Sequence, residues 1–186
     1  MFNSKGKFGF IILSLTLLSI IGPQARASGS HDHSDMGHSH KEHDKKRMSL
    51  SKEAKASIVS VLEANEQLHA SFFNYDAKKV EENAKNLKEK INSIQDKKLA
   101  KLLKFSKVKL SEITAKSSRE ENNDNYHLVS MALIHVVNKY DVGEKYNAYS
   151  CPMVKKKWVQ NSKKSNKINN PYAPNMPHCG SKDSNF

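Results

Sequence analysis

The chain has 186 residues, of which 31 are Lys or Arg and 19 are Asp or Glu, so its formal charge is +12. This length fits one domain, or one domain with tails, and excludes a large two-domain enzyme. Aromatic residues make up only 8% of the chain, which argues against a β-sandwich or β-barrel because strands favour aromatic and β-branched residues.

The first 27 residues have the three parts of a secretory signal peptide. Lys5 and Lys7 form a positively charged start, the segment 8–21 is almost wholly apolar, and the segment 25–27 reads Ala-Arg-Ala, as at a cleavage site. We therefore predict an exported, periplasmic protein that begins at Ser28 and does not span the membrane after cleavage; a retained anchor is the alternative. An exported protein meets little nucleic acid, so we attribute its positive charge to a contribution to solubility or to contact with anionic surfaces.

The segment 28–48 is polar, lacks apolar periodicity and is predicted to be a disordered arm. Short His-rich tracts are typical of metal binding, and imidazole suits copper, zinc and nickel. We expect this arm to capture such ions weakly, and the alternatives are a polar linker or an expression tag. The five histidines of the arm are His31, His33, His38, His40 and His43.

The segment 49–140 is predicted to form four helices. It contains neither glycine nor proline, the two strongest helix breakers. Apolar residues recur at helical spacing over about 50–73, 76–94, 97–116 and 120–140. Ser49 or Ser51, Asp76 and Asp96 are the candidate N-caps of the first three helices. Short polar joints favour antiparallel neighbours, so we expect an all-α fold, an up-down four-helix bundle.

The segment 141–186 differs in composition, since it holds four of the five prolines and both cysteines. We predict an irregular segment that packs on the bundle, because Trp158, Tyr172 and Met176 need cover.

The same segment contains a set of soft metal ligands. Thiolate and thioether sulfurs select Cu(I), and the candidate ligands are Cys151, Met153, Met176 and Cys179. The alternative is a Cys151–Cys179 disulfide, with both methionines in the core. Such a bond would close a loop of 29 residues and stabilise the fold by about 3.5 kcal/mol on the chain-entropy model.

Histidines could complete the sulfur site. His178 precedes Cys179 directly, whereas His127, Met131 and His135 share one face of the fourth helix. The alternative is that these helical residues are ordinary boundary residues beside the core. We prefer this alternative for His135, and for His127 we keep both interpretations. His69 is predicted to be a boundary residue of the first helix.

No catalytic motif is present in the sequence. It lacks HExxH, G-x-S-x-G and a glycine-rich phosphate loop. Adjacent residues such as His178 and Cys179 rarely form a nucleophile–base pair, so we predict a protein that is not an enzyme.

A set of short motifs lies along roughly residues 52–181. They are Leu68-x-x-Ser71-Phe72 with Asp76, Tyr126-x-x-Val129-Ser130, Cys151-Pro152-Met153, Trp158-Val159-Gln160, Ile168, Asn170-Pro171-Tyr172 and Met176-x-x-Cys179-Gly180. These motifs resemble those of an uncharacterised exported helical domain family, which occurs alone or fused to periplasmic adaptor subunits of RND efflux pumps for heavy metals (copper and silver, or cobalt, zinc and cadmium). The resemblance implies a helical bundle in a heavy-metal, copper context, with an efflux adaptor as the expected partner.

One departure from the family bears on the ligands. Family members often carry a His and an Arg just before the aromatic residue of the fourth helix, where this chain has Asn125 and Asn123. If that family histidine binds metal, His127 or His178 has to replace it here.

Together these features predict an exported, non-enzymatic, all-α heavy-metal-binding protein, with copper as the metal. It would buffer the metal or hand it to an efflux system. The rival from another class is a disulfide-stapled helical module that docks on an envelope partner and binds metal only incidentally. A thiol redox protein is the third interpretation.

Overall fold

The computed structural model describes residues 47–186, which form five helices and one small antiparallel sheet. The helices are α1 Lys52–Phe73, α2 Ala77–Asn92, α3 Lys97–Leu102, α4 Lys104–Glu112 and α5 Arg119–Lys139. The strands are β1 Tyr146–Cys151, β2 Lys156–Asn161 and β3 Ser181–Lys182. Within the described range, no helix combines the length and apolar character needed to cross a membrane.

The starts of the first three helices agree with the predicted caps. The Ser51 side chain accepts a hydrogen bond from the backbone N–H of Ala54. Asp76 and Asp96 each accept two backbone N–H groups of the first turn that follows. These bonds satisfy donors that a helix start leaves without an intrahelical partner, so the predicted roles of Ser51, Asp76 and Asp96 are confirmed.

The helices bury one continuous apolar core. Helix α1 packs on α2, α2 on α4, and α4 on α5. Aromatic rings from three parts of the chain meet in this core: Tyr126 of α5 stacks on Phe72 of α1 at 4.9 Å and contacts Tyr172 at 5.7 Å between ring centroids. Tyr172 belongs to the C-terminal segment, which is therefore part of the core.

The third predicted helix, 97–116, is interrupted. The backbone of Leu103 departs from helical geometry, with φ −94° and ψ 6°, and this residue separates α3 from α4. Leu103 is fully buried at the break, and so are Leu99 before it and Leu110 after it. The helical pattern of leucines continues through the interruption, so the apolar periodicity alone gives no sign of it.

The predicted fold class, an all-α four-helix bundle with an irregular C-terminal segment, is wrong. The C-terminal segment forms a three-stranded sheet with the order β2-β1-β3, and both strand pairs are antiparallel. Helix α5 packs against β1 and β2. Four successive residues of β1, 146–149, are buried, so both faces of the strand are covered and the period-two alternation that would reveal it is absent.

Candidate metal centre

The two cysteines meet at one end of the sheet. Cys151 is the last residue of β1, and Cys179 lies two residues before β3. Strand β3 pairs with β1 through Ser150 and Ser181, which draws Cys179 back beside Cys151. Their Sγ atoms are 2.6 Å apart, and both residues are free cysteines.

The two thiols have unequal tendencies to ionise. Burial opposes ionisation of Cys151, but the Cys179 thiol, the backbone N–H groups of Val154 and Met153 and the Asn170 side chain stabilise its thiolate, so its pKa lies below the ordinary value. The pKa of Cys179 is raised by its hydrogen bond to Cys151, by burial and by the neighbouring Cys151 charge. Of the two thiols, Cys151 therefore ionises more readily. A thiolate is both the nucleophile and the metal ligand of cysteine chemistry.

The two methionines of the predicted site are exposed. Met153 is 69% and Met176 is 41% exposed, so the alternative that placed them in the core is wrong. Met153 follows Cys151 by two residues, and Met176 is joined to Cys179 by a turn in which the Cys179 N–H donates to the Met176 carbonyl at 3.0 Å. Each cysteine thus has an exposed thioether in the turn beside it.

His178 is held in a single tautomer. Its Nδ1 lies 2.7 Å from the carbonyl oxygen of Ile168, so Nδ1 carries the proton and donates it. The exposed ring then presents Nε2 as a free acceptor. Metal-binding histidines commonly donate their other N–H to a carbonyl in this way, which makes His178 a suitable ligand.

The remaining predicted residues lie on α5. His127 Nδ1 is 3.3 Å from both the backbone nitrogen and the backbone oxygen of Lys157, and its ring meets the edge of Tyr172. Burial lowers the pKa of His127. Among the described residues, no hydrogen bond joins His127 to either cysteine, and Met131 and His135 are exposed.

Some predicted metal ligands cannot be placed. The five arm histidines and the predicted signal peptide lie outside residues 47–186, which the structure describes. Within that range, no three His, Cys, Asp or Glu side chains gather around a common point. A metal at the thiol pair would therefore depend on the two thiolates and on the neighbouring thioethers.

His69 is a buried polar residue that the sequence pattern did not reveal. It is only 8% exposed, so its prediction as a boundary residue is wrong, and neither ring nitrogen forms a hydrogen bond of normal geometry with a described residue. Burial lowers its pKa to about 4, and the backbone of Asn169 and the charge of Glu66 oppose the shift only in part. The sequence did contain one indication of this burial: His69 lies four residues after Asn65, on the same, buried face of α1.

We expect His69 to make the folded state less stable in mild acid. The histidine binds a proton near pH 6.5 in the unfolded chain but only near pH 4 in the fold. Between these values the unfolded state binds more protons, so stability is complete above about pH 6.5 and declines towards pH 4. The loss should be about 3 kcal/mol, because one pKa unit corresponds to about 1.4 kcal/mol.

Urea unfolding at pH 7, 5.5 and 4 measures this loss. His69→Phe removes the titrating group and should flatten the pH dependence, whereas His135→Phe, at an exposed position of α5, should leave it unchanged. An undiminished acid slope in His69→Phe would contradict the assignment.

Comparison with protein-family models found no match, and comparisons with curated proteins and with solved structures likewise found none. The resemblance of the C-terminal motifs to the exported family therefore stays a prediction.

Proposed function

We propose that this chain is an exported heavy-metal-binding protein whose cargo is Cu(I). The proposed ligands are Cys151 and Cys179, together with Met153 and Met176. The observation that carries the proposal is the meeting of two thiols at one end of the sheet, with an exposed methionine in the turn beside each of them. Their exposure leaves both methionine side chains accessible to an ion from solvent.

The chemistry of these donors suits a soft, monovalent ion. Thiolate and thioether ligands select Cu(I) over harder cations. Cys151 supplies the first thiolate, and Cys179 would give up its proton when the ion binds. Zinc–thiolate bonds, taken as a guide to metal–thiolate lengths, are about 2.3 Å long, so the sulfurs must move apart from 2.6 Å to hold one ion between them.

The histidines extend this proposal. His178 would offer Nε2 as an additional ligand, while the arm histidines would collect copper, zinc or nickel at low affinity. The signal-like segment 1–27 supports a periplasmic location, where the protein would buffer copper or pass it to an efflux adaptor. Nothing in this proposal requires catalysis.

A disulfide-stapled interaction module is the second candidate. The short distance between the sulfurs favours it, because 2.6 Å leaves no space for an ion between them. In that case the bond would stabilise the sheet, and the basic surface of the C-terminal segment would dock on an envelope partner.

The thiol state of the protein separates the two candidates. We expect reduced protein to compete for Cu(I) against a chromophoric chelator and to bind one tight equivalent, whereas protein oxidised to the disulfide should lose that equivalent, since oxidation removes both thiolates. Protein isolated from the native periplasm would be tested for thiols and copper in parallel. A complete native disulfide, combined with no tight Cu(I) binding after reduction, would reject the copper proposal in favour of the module.

A further inference from the structure

The segment 97–111 carries a positive charge that its own sequence does not balance. It spans α3, the break at Leu103 and most of α4. Between Asp96 and Glu112 there is no acidic residue, so this stretch of surface attracts anions. Its six basic residues are Lys97, Lys98, Lys101, Lys104, Lys107 and Lys109.

The described residues leave most of this charge uncompensated. Within residues 47–186, Lys109 is the one lysine of the six that forms an ion pair, with Glu112. In the segment 151–186, by contrast, four of the seven lysines are paired with carboxylates. The segment 97–111 is therefore the better candidate for binding an anionic partner.

Two apolar side chains lie among these lysines. Phe105 is 54% and Val108 is 52% exposed, and their spacing of three residues places them on one face of α4. Lys104 shares this face, because it precedes Val108 by four residues, and Lys109 Nζ lies 5.5 Å from the centre of the Phe105 ring. The outer face of α4 thus presents apolar side chains and basic groups together.

We propose that the outer face of α4 docks on an anionic phospholipid bilayer. The lysines contact lipid phosphates, and Phe105 and Val108 insert between the headgroups. Helices that lie in a membrane interface combine the same two features. The opposite side of α4, with Ser106 and Leu110, is buried in the core, so the helix docks without leaving the fold. The proposal is independent of copper binding.

The residue types favour a bilayer over an acidic protein or a nucleic acid. The segment 97–111 contains six lysines and no arginine. Arginine serves planar, bidentate recognition and is enriched at protein–protein interfaces, where lysine is depleted. Nucleic acid and free phosphate offer no apolar layer for Phe105 and Val108. A bilayer supplies the negative charge and the apolar layer side by side.

Co-sedimentation with vesicles tests the charge requirement. The protein is used in the form that cells produce from the full chain, and all variants share the same N-terminus. Vesicles of equal parts phosphatidylcholine and phosphatidylglycerol should bind it much more tightly than phosphatidylcholine alone, and added salt should weaken this binding. Lys101→Gln with Lys104→Gln should weaken it about 25-fold, because each basic residue near such a surface contributes about fivefold.

A matched pair of lysines controls for net charge. Lys78 and Lys79 are exposed at the start of α2, where the Glu81 side chain meets the backbone of Ala115 beyond the end of α4. Lys78→Gln with Lys79→Gln removes the same charge away from the outer face of α4, so this variant should bind as the wild type does.

A second double variant tests the insertion of the apolar side chains. Phe105→Gln with Val108→Gln keeps the charge and should weaken binding to the anionic vesicles at least about tenfold, because each side chain has about half of its surface left to bury. Met131→Gln, at an exposed position of α5, should bind normally. Far-ultraviolet circular dichroism should find every variant folded, since all of these positions are exposed.

Three outcomes would overturn the proposal. The first is equal binding to neutral and anionic vesicles, and the second is full binding by the Lys101 and Lys104 variant. The third is full binding by the Phe105 and Val108 variant, which would identify a surface for polyanions in general; heparin would then bind as tightly as the anionic vesicles do.

Discussion

Replacing either cysteine with serine should lower the affinity of the reduced protein for Cu(I) by more than about a hundredfold. Loss of a residue that only supports a metal ligand typically costs 10–100-fold, and each of these substitutions removes a proposed ligand itself. Cys151→Ser should have the larger effect, because the thiolate stabilised by the N–H groups of Val154 and Met153 is lost. The measurement is competition with a chromophoric Cu(I) chelator under reducing conditions.

The methionines provide a matched control for the same titration. Met153→Leu keeps size and apolarity, so a weaker affinity would reflect the lost thioether. Met48→Leu changes another exposed methionine, which pairs with Tyr140 away from the cysteines, and should bind Cu(I) normally.

Deleting residues 28–46 should reduce weak binding of copper, zinc or nickel and leave the tight equivalent. Tight binding that follows the arm and ignores both cysteines would contradict the proposed site.

Gly180→Ala should destabilise the reduced protein by about 2–6 kcal/mol, the sum of backbone strain and overpacking at about 1–3 kcal/mol each. Gly180 has φ +145°, and an added Cβ would lie 2.6 Å from the backbone oxygen of Ser150 and 2.9 Å from Cη2 of Trp158. The Ser150 oxygen belongs to β1, and Trp158 is fully buried, so neither atom can easily move away.

Gly143→Ala separates the two contributions. Gly143 also has a positive φ, +91°, but an added Cβ would meet nothing within 4 Å. Its alanine variant should therefore show the strain alone, and urea unfolding should find Gly180→Ala clearly less stable than Gly143→Ala. Equal losses would mean that the close packing of Gly180 against β1 and Trp158 has no energetic consequence.

The helices could be predicted from the sequence because their determinants are local. Asp76 and Asp96 cap the turns that follow them, and the apolar stripes recur within each helix. The sheet could not be predicted in this way. Its strands are two to six residues long. Residues 146–149 are buried because β1 packs against other elements, among them β2 and α5, and the residues of the strand itself do not reveal that packing.

The candidate site shows the same division between local and long-range information. The donor types of Cys151, Met153, Met176 and Cys179 can be read from the sequence, and so can the two alternatives for the cysteines, a disulfide or metal ligation. Their arrangement requires β3 to return beside β1 across 29 intervening residues, from Pro152 to Gly180. Met153 lies in the short connection 152–155 between β1 and β2, so its exposure depends on a hairpin that the sequence pattern did not predict.

Trp158 is the chain's only tryptophan, and its surroundings make it a built-in optical reporter. One edge of the indole lies against Gly180, the neighbour of Cys179, and its Nε1 donates to Gln160 Oε1. Under excitation that tyrosine does not absorb, the fluorescence of the protein therefore arises from one indole close to Cys179. Emission changes caused by thiol oxidation or by a bound ion can be followed without an attached dye, and the Cys151→Ser and Cys179→Ser variants assign each change to its source.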